Sequence, residues 1–502
     1  MQRNQTIGYL PDERPPIWKL LLYAIQQVIV MFPATIMVAL LTGFHVSTTI
    51  FASGLATICF VLVTGRKLPL YYGSSFSYLG AILGLMSSDA LAGMGLNDKI
   101  AIAQFGIVMS GLVSIAAGFL VKAAGKDVID RVLPASITGP IAMAIGLTLA
   151  GTALTDARVL PGNLSAELAA LGNGRALTSG LAQAAAQLLA DAQQLVGDPA
   201  AAIQAMMAAQ PGPELLAQMA QAYNLSWTIA LVTLLATILF SVYLKGVWGQ
   251  LPLLLGPIVG CAVAYVIAQV TGVNFFRTLE GAGAGLFALP VFTLPKPSWM
   301  AVAAIMPIAI ATIPESTAHV YQLDIYVNDL SRKKGGKVYD IASKLGLNLI
   351  GDGIGDIVAG AIGGPAGTNY GENISAMAIT KVFSTAVLMV AAVIAMVIAC
   401  FTPLINAIYA IPTPVIAGLE IYLFGAIAAQ GVAIMIEKKV DMFSARNIAV
   451  IATIMVIALG GQYGFGGQIP FFGTEVPCIA GAAVFGILLN YILSIGARKG
   501  EA

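Results

Sequence analysis

The sequence predicts an all-α polytopic membrane protein of roughly fourteen spans, interrupted twice by short extended segments, and three observations carry that expectation. Of the 502 residues, 58% are hydrophobic and only 10% charged, with mean hydropathy +0.88, which does not describe a soluble globular domain. Apolar runs of about 17–25 residues recur from Ile17 to the C-terminus, separated by short charged or glycine- and proline-containing turns. Two runs are broken by glycine-rich stretches, one within Leu68–Ile82 (LPLYYGSSFSYLGAI) and one at Gly363–Lys381 (GGPAGTNYGENISAMAITK). Lipid offers no hydrogen-bond partners, so backbone freed by such a break must be buried in protein or line a cavity.

The formal net charge of +1 points to no particular partner, and no nucleic acid is expected. The placement of the basic residues is more informative. With the N-terminus in the cytoplasm and alternating spans, 20 of the 25 Lys and Arg fall inside, and only Lys99, Arg158, Arg175, Arg277 and Lys296 fall outside. That asymmetry satisfies the positive-inside rule and puts both termini in the cytoplasm. Cys59, Cys261, Cys400 and Cys478 sit singly in apolar runs and read as packing residues. The head Met1–Pro16 is short and polar, so the first helix is expected to serve as its own targeting signal to the cell (inner or plasma) membrane.

Taken in order, the first span, Ile17–Leu41, carries Gln26, Gln27 and Pro33 in an apolar helix, where polar residues act as interhelical hydrogen-bonders. The second, Thr48–Thr64, is uniformly apolar. The third holds Tyr71, Tyr72, Gly73, Ser74, Ser75, Phe76 and Tyr78, a mixture suited to extended backbone. After the connection Lys122–Arg131 and the span Leu133–Leu154 come roughly seventy residues, Thr155–Asn224, not apolar enough to cross. Leu177, Leu181, Ala184, Leu188 and Leu195 at helical spacing, the Asp198-Pro199 cap and a restart at Pro211-Gly212-Pro213 predict an extracytoplasmic helical insertion. Spans resume at Ser226–Tyr243 and Leu251–Val270. The eighth starts near Trp299 and contains IPESTAHVYQLD, and the ninth is Ile341–Ile362. Phe383–Phe401, a segment around Pro412 and Pro414, Ile421–Ile436, Ile448–Gly461 and Pro477–Ile495 complete the chain.

The breaks fall at comparable places in the two halves, Gly73–Tyr78 in the third span and Gly367–Asn373 in the tenth. Interrupted segments at corresponding positions point to an inverted-repeat transporter with its site at the bilayer midplane. Glu372 lies in the second break, while Glu315 and His319 are four apart on the eighth span and share a helix face. A charge near the bilayer centre costs about 2.5–3.5 kcal/mol or more, so these acids must be shielded, paired or protonated. A helix-clamping Glu315–His319 pair would be purely structural. Two acids beside two backbone breaks favour a ligand site.

Carboxylates accept hydrogen bonds, and the free N–H groups of half-helix ends donate them. A ligand with adjacent N–H and C=O groups, the edge of an amide-like heterocycle, matches both, and Phe76 and Tyr370 supply flat contact for its ring. Two acids repel an inorganic anion, and a simple cation needs no aromatic contact. Glu315 and His319 are the candidates for coupling movement to a proton, with sodium at the unwound carbonyls the alternative. Neither a channel filter nor an enzyme's nucleophile or metal site is evident; Glu315-x-x-x-His319 is a two-ligand fragment, and no cofactor is expected.

At these residues the chain resembles the nucleobase-ascorbate transporters, the second nucleobase-cation symporter family. The resemblance rests on the run Glu372-Asn373-Ile374-Ser375 through Thr380-Lys381, on TGRKLPLYYGSSFSY, on the Glu315/His319 pair and on EKKVD from Glu437, and it extends over nearly all the chain outside Thr155–Asn224. It implies two inverted repeats of seven spans. The core domain would be residues 1–132 (spans 1–4) and 298–401 (spans 8–11). The gate domain would be 133–297 (spans 5–7, with the insertion 155–224) and 402–502 (spans 12–14). It implies a homodimer, a nucleobase site at Glu315 and Glu372 with main-chain contacts at Ala34, Phe76 and Gly371, and proton coupling at His319; Tyr370 and Asn373 beside them are the further candidate substrate contacts. The spacing in the eighth span is closer to the uracil-type branch than to the xanthine and urate branch. Gln27 departs from the family's usual His, and Ser375 from its usual Gly. The expected function is therefore proton-coupled uracil symport by alternating access, with xanthine or urate symport as the alternative and an inorganic anion transporter of similar fold behind it.

Overall fold

The computed structural model describes residues 8–125, 133–162, 164–165, 213–246, 248–277, 285–472 and 474–495. Helices α1 (Ile17–Thr42) and α2 (Val46–Val63) lead to strand β1 (Tyr72–Ser74), a 3-10 turn (Phe76–Tyr78) and the short helix α3 (Leu79–Met86). Then come α4 (Leu96–Ala124), α5 (Ala135–Thr148), α6 (Ala150–Asp156), α7 (Pro213–Tyr243) and α8 (Pro252–Thr271). The second half has α9 (Trp299–Ile305), α10 (Ala309–Lys333), α11 (Leu345–Ile362), strand β2 (Gly367–Asn369), the half-helix α12 (Gly371–Thr380) and α13 (Thr385–Ala399). It ends with α14 (Thr402–Tyr409), α15 (Thr413–Glu437), α16 (Ala445–Phe465), the hairpin β3 (Gln468–Phe471) and β4 (Thr474–Pro477), and α17 (Cys478–Ile495).

Among the described residues, 11 helical segments are long and apolar enough to cross a membrane. The shorter stretches Phe76–Met86, Gly371–Thr380 and Thr385–Ala399 occupy the third, tenth and eleventh places, in keeping with the expected number of spans. Three boundaries differ from expectation. In the third span only Tyr72–Ser74 is extended, because Ser75 caps the following turn by accepting from Ser77 N (3.2 Å), and the chain is helical from there. Pro412 and Pro414 open α15 rather than forming a separate segment; proline is tolerated in a first turn, where its missing N–H has no helical partner anyway. Residues 213–224 of the expected insertion are the first turns of α7, continuous with the sixth span. The remainder of that insertion, including Leu177–Leu195 and the Asp198-Pro199 cap, lies outside the described residues.

The spans pack in two groups. One contains α1–α4 and α9–α13, centred on the α4–α11 pair; the other contains α5–α8 and α15–α17, centred on α15 against α5. Small residues bring α4 and α11 close: a Cβ on Gly111 would sit 2.5 Å from Gly353 O, and one on Gly118 2.6 Å from Gly346 O. At one end of the first group, residues before α1 fasten the chain. Tyr9 N donates to Lys381 O (2.8 Å), Phe383 N donates to Tyr9 O (2.8 Å), and Lys334 pairs with Glu13 (2.6 Å).

Candidate functional site

The two breaks meet. β1 and β2 pair antiparallel, Tyr72 opposite Asn369 and Ser74 opposite Gly367, and flanking bonds from Ser75 N to Ala366 O (3.0 Å) and Tyr370 N to Tyr71 O (2.9 Å) extend the ladder. Each strand thereby satisfies the other's backbone at membrane depth, as a bilayer interior demands. The second break follows from its residues: Gly363 ends α11 in the left-handed region (φ 102°), and Pro365 cannot continue a helical hydrogen-bond ladder. Gly73 is required at the crossing, since a Cβ there would overlap the buried Tyr370 ring, whose hydroxyl meets Thr35 Oγ1 at 2.9 Å.

Beyond the strands, the N-terminal ends of both half-spans open on one cavity of about 380 Å³, within the usual range for small-ligand sites. Ser75 and Phe76 reach it from the third span, Tyr370, Gly371 and Glu372 from the tenth, and Glu315 and His319 from α10. Glu372 stands in the first turn of α12, where a negative charge is favoured by the helix dipole. Glu315 follows Pro314 and accepts from Ser77 Oγ at 3.4 Å. Gly371 packs against His319: a Cβ there would stand 2.9 Å from Nε2, so glycine lets the imidazole lie over the start of α12. His319 Nδ1 is buried and has no hydrogen-bond partner among the described residues.

Six of the residues expected from sequence, Phe76, Glu315, His319, Tyr370, Gly371 and Glu372, converge on this cavity. Ala34 and Asn373 do not line it. Ala34 is packed inside α1, and Asn373 donates to Gln27 Oε1 (2.8 Å) and Gln27 O (3.0 Å), tying α12 to α1. Gln27 is thus an interhelical hydrogen-bonder, as its type suggested. The facing wall, Leu253 from α8 and Tyr422, Leu423 and Gln430 from α15, was not singled out from sequence.

Behind the cavity lies a polar network that sequence reasoning also missed. Tyr72 donates to Asp356 Oδ1 (2.5 Å), which also accepts from Gly367 N (2.8 Å); Ser316 donates to Asp352; Asn369 Nδ2 donates to Asn348 Oδ1 (3.0 Å). These bonds fix β1, β2 and α10 against α11. The available signal was the spacing of Asn348, Asp352 and Asp356, four apart on one face of an apolar span.

A second cavity of about 480 Å³ shares Glu315, His319 and Gln430 with the first and continues past Gln322 and Ile325 to Glu437 and Lys438. A larger cleft of about 790 Å³ lies apart from both, at helix ends lined by Glu13, Arg14, Arg66, Lys67 and Lys344.

The model of a family described as "Permease family", covering xanthine- and uracil-type permeases, matches residues 18–192 and 200–467. The chain belongs to that family. Its relatives include a uracil permease of Bacillus caldolyticus, 31% identical over 490 residues (96% of this chain, 94% of the relative), and one of Escherichia coli K12, 28% identical over 485 residues (96% and 93%). A putative pyrimidine permease of Escherichia coli K12 is 30% identical over 496 residues (96% and 91%). Among solved structures, murine Slc26a9, an anion transporter in its inward-facing state, aligns with TM-score 0.60 at 12% identity, covering 99% of this chain and 72% of that one. The transmembrane domain of the cyanobacterial bicarbonate transporter BicA aligns with TM-score 0.56 at 14% identity (98% and 100%). The fold is the expected one, a polytopic helical transporter with two inverted repeats of seven spans. Membership of a permease family makes the protein a multi-pass membrane transporter and not an enzyme.

Proposed function

We propose that the protein carries uracil across the cell membrane together with a proton, by alternating access. The observation that supports this most is the single cavity in which two carboxylates, Glu315 and Glu372, stand beside the starts of two broken spans. Uracil presents N–H groups to the carboxylates and C=O groups to free backbone N–H groups, and its ring lies against Phe76 and Tyr370. The relatives' names agree with that chemistry. The solved neighbours named as bicarbonate and anion transporters share the fold alone, and a cavity with two acids suits a neutral ligand better than an anion.

His319, one turn from Glu315 on α10, accepts or releases the coupled proton through its unpartnered Nδ1, with sodium as the competing ion. The first helix group acts as the core domain (1–132 and 298–401) and the second as the gate domain (133–297 and 402–502). The cavity running to Glu437 and Lys438 is then the cytoplasmic exit, because the basic-residue bias assigns that end and both termini to the cytoplasm. The family resemblance favours a homodimer. The test is uptake of labelled uracil into proteoliposomes under an imposed pH gradient, with xanthine and urate as competitors. Saturable, gradient-driven uracil uptake is expected; accumulation driven by sodium instead, or of xanthine in place of uracil, would overturn the corresponding part.

A further inference from the structure

Away from the substrate cavity, one buried acid has no explanation in the transport site. Glu420 lies seven residues into α15, about 10 Å along the axis from Thr413. It is fully buried, and among the described residues no donor reaches either carboxylate oxygen; the side chain that meets it is a second carboxyl, that of Asp156. It lines neither the substrate cavity nor the cavity leading from it. Three residues before it on α15, Ala417 packs with Ala157 and Ala230 beside Trp227. An ionised carboxylate left unpaired in such a place costs several kcal/mol, so the site must supply compensation.

Two charged groups act on Glu420, Asp156 at the end of α6 and Arg277 beyond α8. Of the other helices packed on α15, α5 and α8 carry no Asp, Glu, Lys, Arg or His, and α7 has only Glu214 in its first turn. Arg158, the remaining nearby cation, stacks on the Tyr223 ring of α7 at 4.5 Å. Arg277 forms no ion pair with either acid; its Nη2 donates to Thr413 Oγ1 (2.9 Å) and its backbone N to Ala410 O (3.3 Å). Two carboxylates beside one guanidinium leave an excess negative charge, and a single added proton makes the trio neutral. Like-charged carboxyl groups sharing a site resolve their repulsion by holding one proton between them.

We propose that Glu420 and Asp156 form a second proton-binding site, a carboxyl pair sharing one proton beside Arg277, which clamps α15 to α6 within the second helix group. The ligand is the proton itself: it bridges an oxygen of one carboxyl to an oxygen of the other, and no other bond is made or broken. This site is independent of the substrate's identity, and its failure would leave the uracil assignment untouched.

The test uses the full-length protein in lipid nanodiscs, followed by infrared difference spectroscopy and thermal unfolding across a pH series. In the wild type, a protonated-carboxyl C=O band should disappear as pH rises, and the melting temperature should fall in step. Glu420→Gln, an uncharged mimic of the protonated acid, should remove that band and flatten the melting profile at alkaline pH. Asp156→Asn should do the same, and serves if Glu420→Gln does not fold. A wild-type pH profile in both variants would overturn the proposal. So would stabilisation of the wild type by added sodium at fixed pH that is lost in the variants, since the pair would then bind a metal cation.

Discussion

The two helix groups solve the same problem, burying polar groups in an apolar bundle, in different ways. In the first, side chains bond across elements: Tyr72 to Asp356, Asn373 to Gln27, Tyr78 to Ser110 (2.6 Å), and Gln104 to Gly360 O (2.5 Å) and Thr293 O (2.8 Å). In the second, the buried Thr233 and Thr237 donate to their own helix four residues back, at Ile229 O (2.8 Å) and Thr233 O (2.7 Å). Across helices there, the hydroxyls of Ser241 and Tyr422 meet at 2.6 Å, and Arg446 donates to Asn490 Oδ1 (3.0 Å) near the ends of α16 and α17. The long spans of the first group are 50–67% buried; in the second group the α5–α6 span is 61% buried and the others are 17–39% buried. A body cross-linked by side-chain hydrogen bonds thus stands against one held more by packing.

That contrast predicts a graded set of outcomes. Gly73→Ala should have the largest effect, because the new Cβ overlaps the Tyr370 ring and wedges the strand pair apart; uracil binding should fall below detection in titration of the purified protein. Near-normal binding would show that the crossing is not rigid. Tyr72→Phe deprives buried Asp356 of one of its two partners and should cost about 1–3 kcal/mol in chemical unfolding, the penalty of a buried polar group left short of hydrogen bonds. Thr233→Val in the second group should cost less than about 1 kcal/mol, since it removes only an own-helix bond of a kind that contributes weakly in membranes. Equal losses from these two changes would erase the distinction between the groups.

The smallest effect is expected at the fastening outside the membrane. Hydrogen bonds from Lys337 and Tyr339 hold the Asp12 carboxyl below its usual range. A lowered folded-state value means stabilisation that is present above the unfolded value, near about pH 4, and lost as pH falls through the folded one. Asp12→Asn should therefore lower the melting temperature slightly at neutral pH, by the fraction of about 1 kcal/mol that an exposed pair contributes, and match the wild type in strong acid. A deficit that persisted in acid would place the effect elsewhere.

Part of this was legible in the sequence for a physical reason: lipid punishes unpaired backbone and unpaired charge, so the glycine breaks and the acids Glu315 and Glu372 advertise themselves, whereas Asp352 and Asp356, paired within the bundle, did not. Glu315, His319 and Glu372 stood out in this way, and the structure gathers them on one cavity. Asn373, also expected at the site, ties α12 to α1 through Gln27 instead of lining the cavity. The facing wall stayed hidden because Tyr422, Leu423 and Gln430 belong to a continuous helix with no break to mark it. Pairing of β1 with β2 joins residues nearly three hundred positions apart, and no local pattern specifies it.

The most direct test of the central account is equilibrium binding of uracil to the purified wild type, Glu372→Gln and Glu315→Gln. Loss of one charged hydrogen bond is worth about 1.5–3 kcal/mol, so each variant should bind roughly ten- to a hundredfold more weakly while melting like the wild type. Unchanged affinity in both variants would contradict the assignment of this cavity as the nucleobase site.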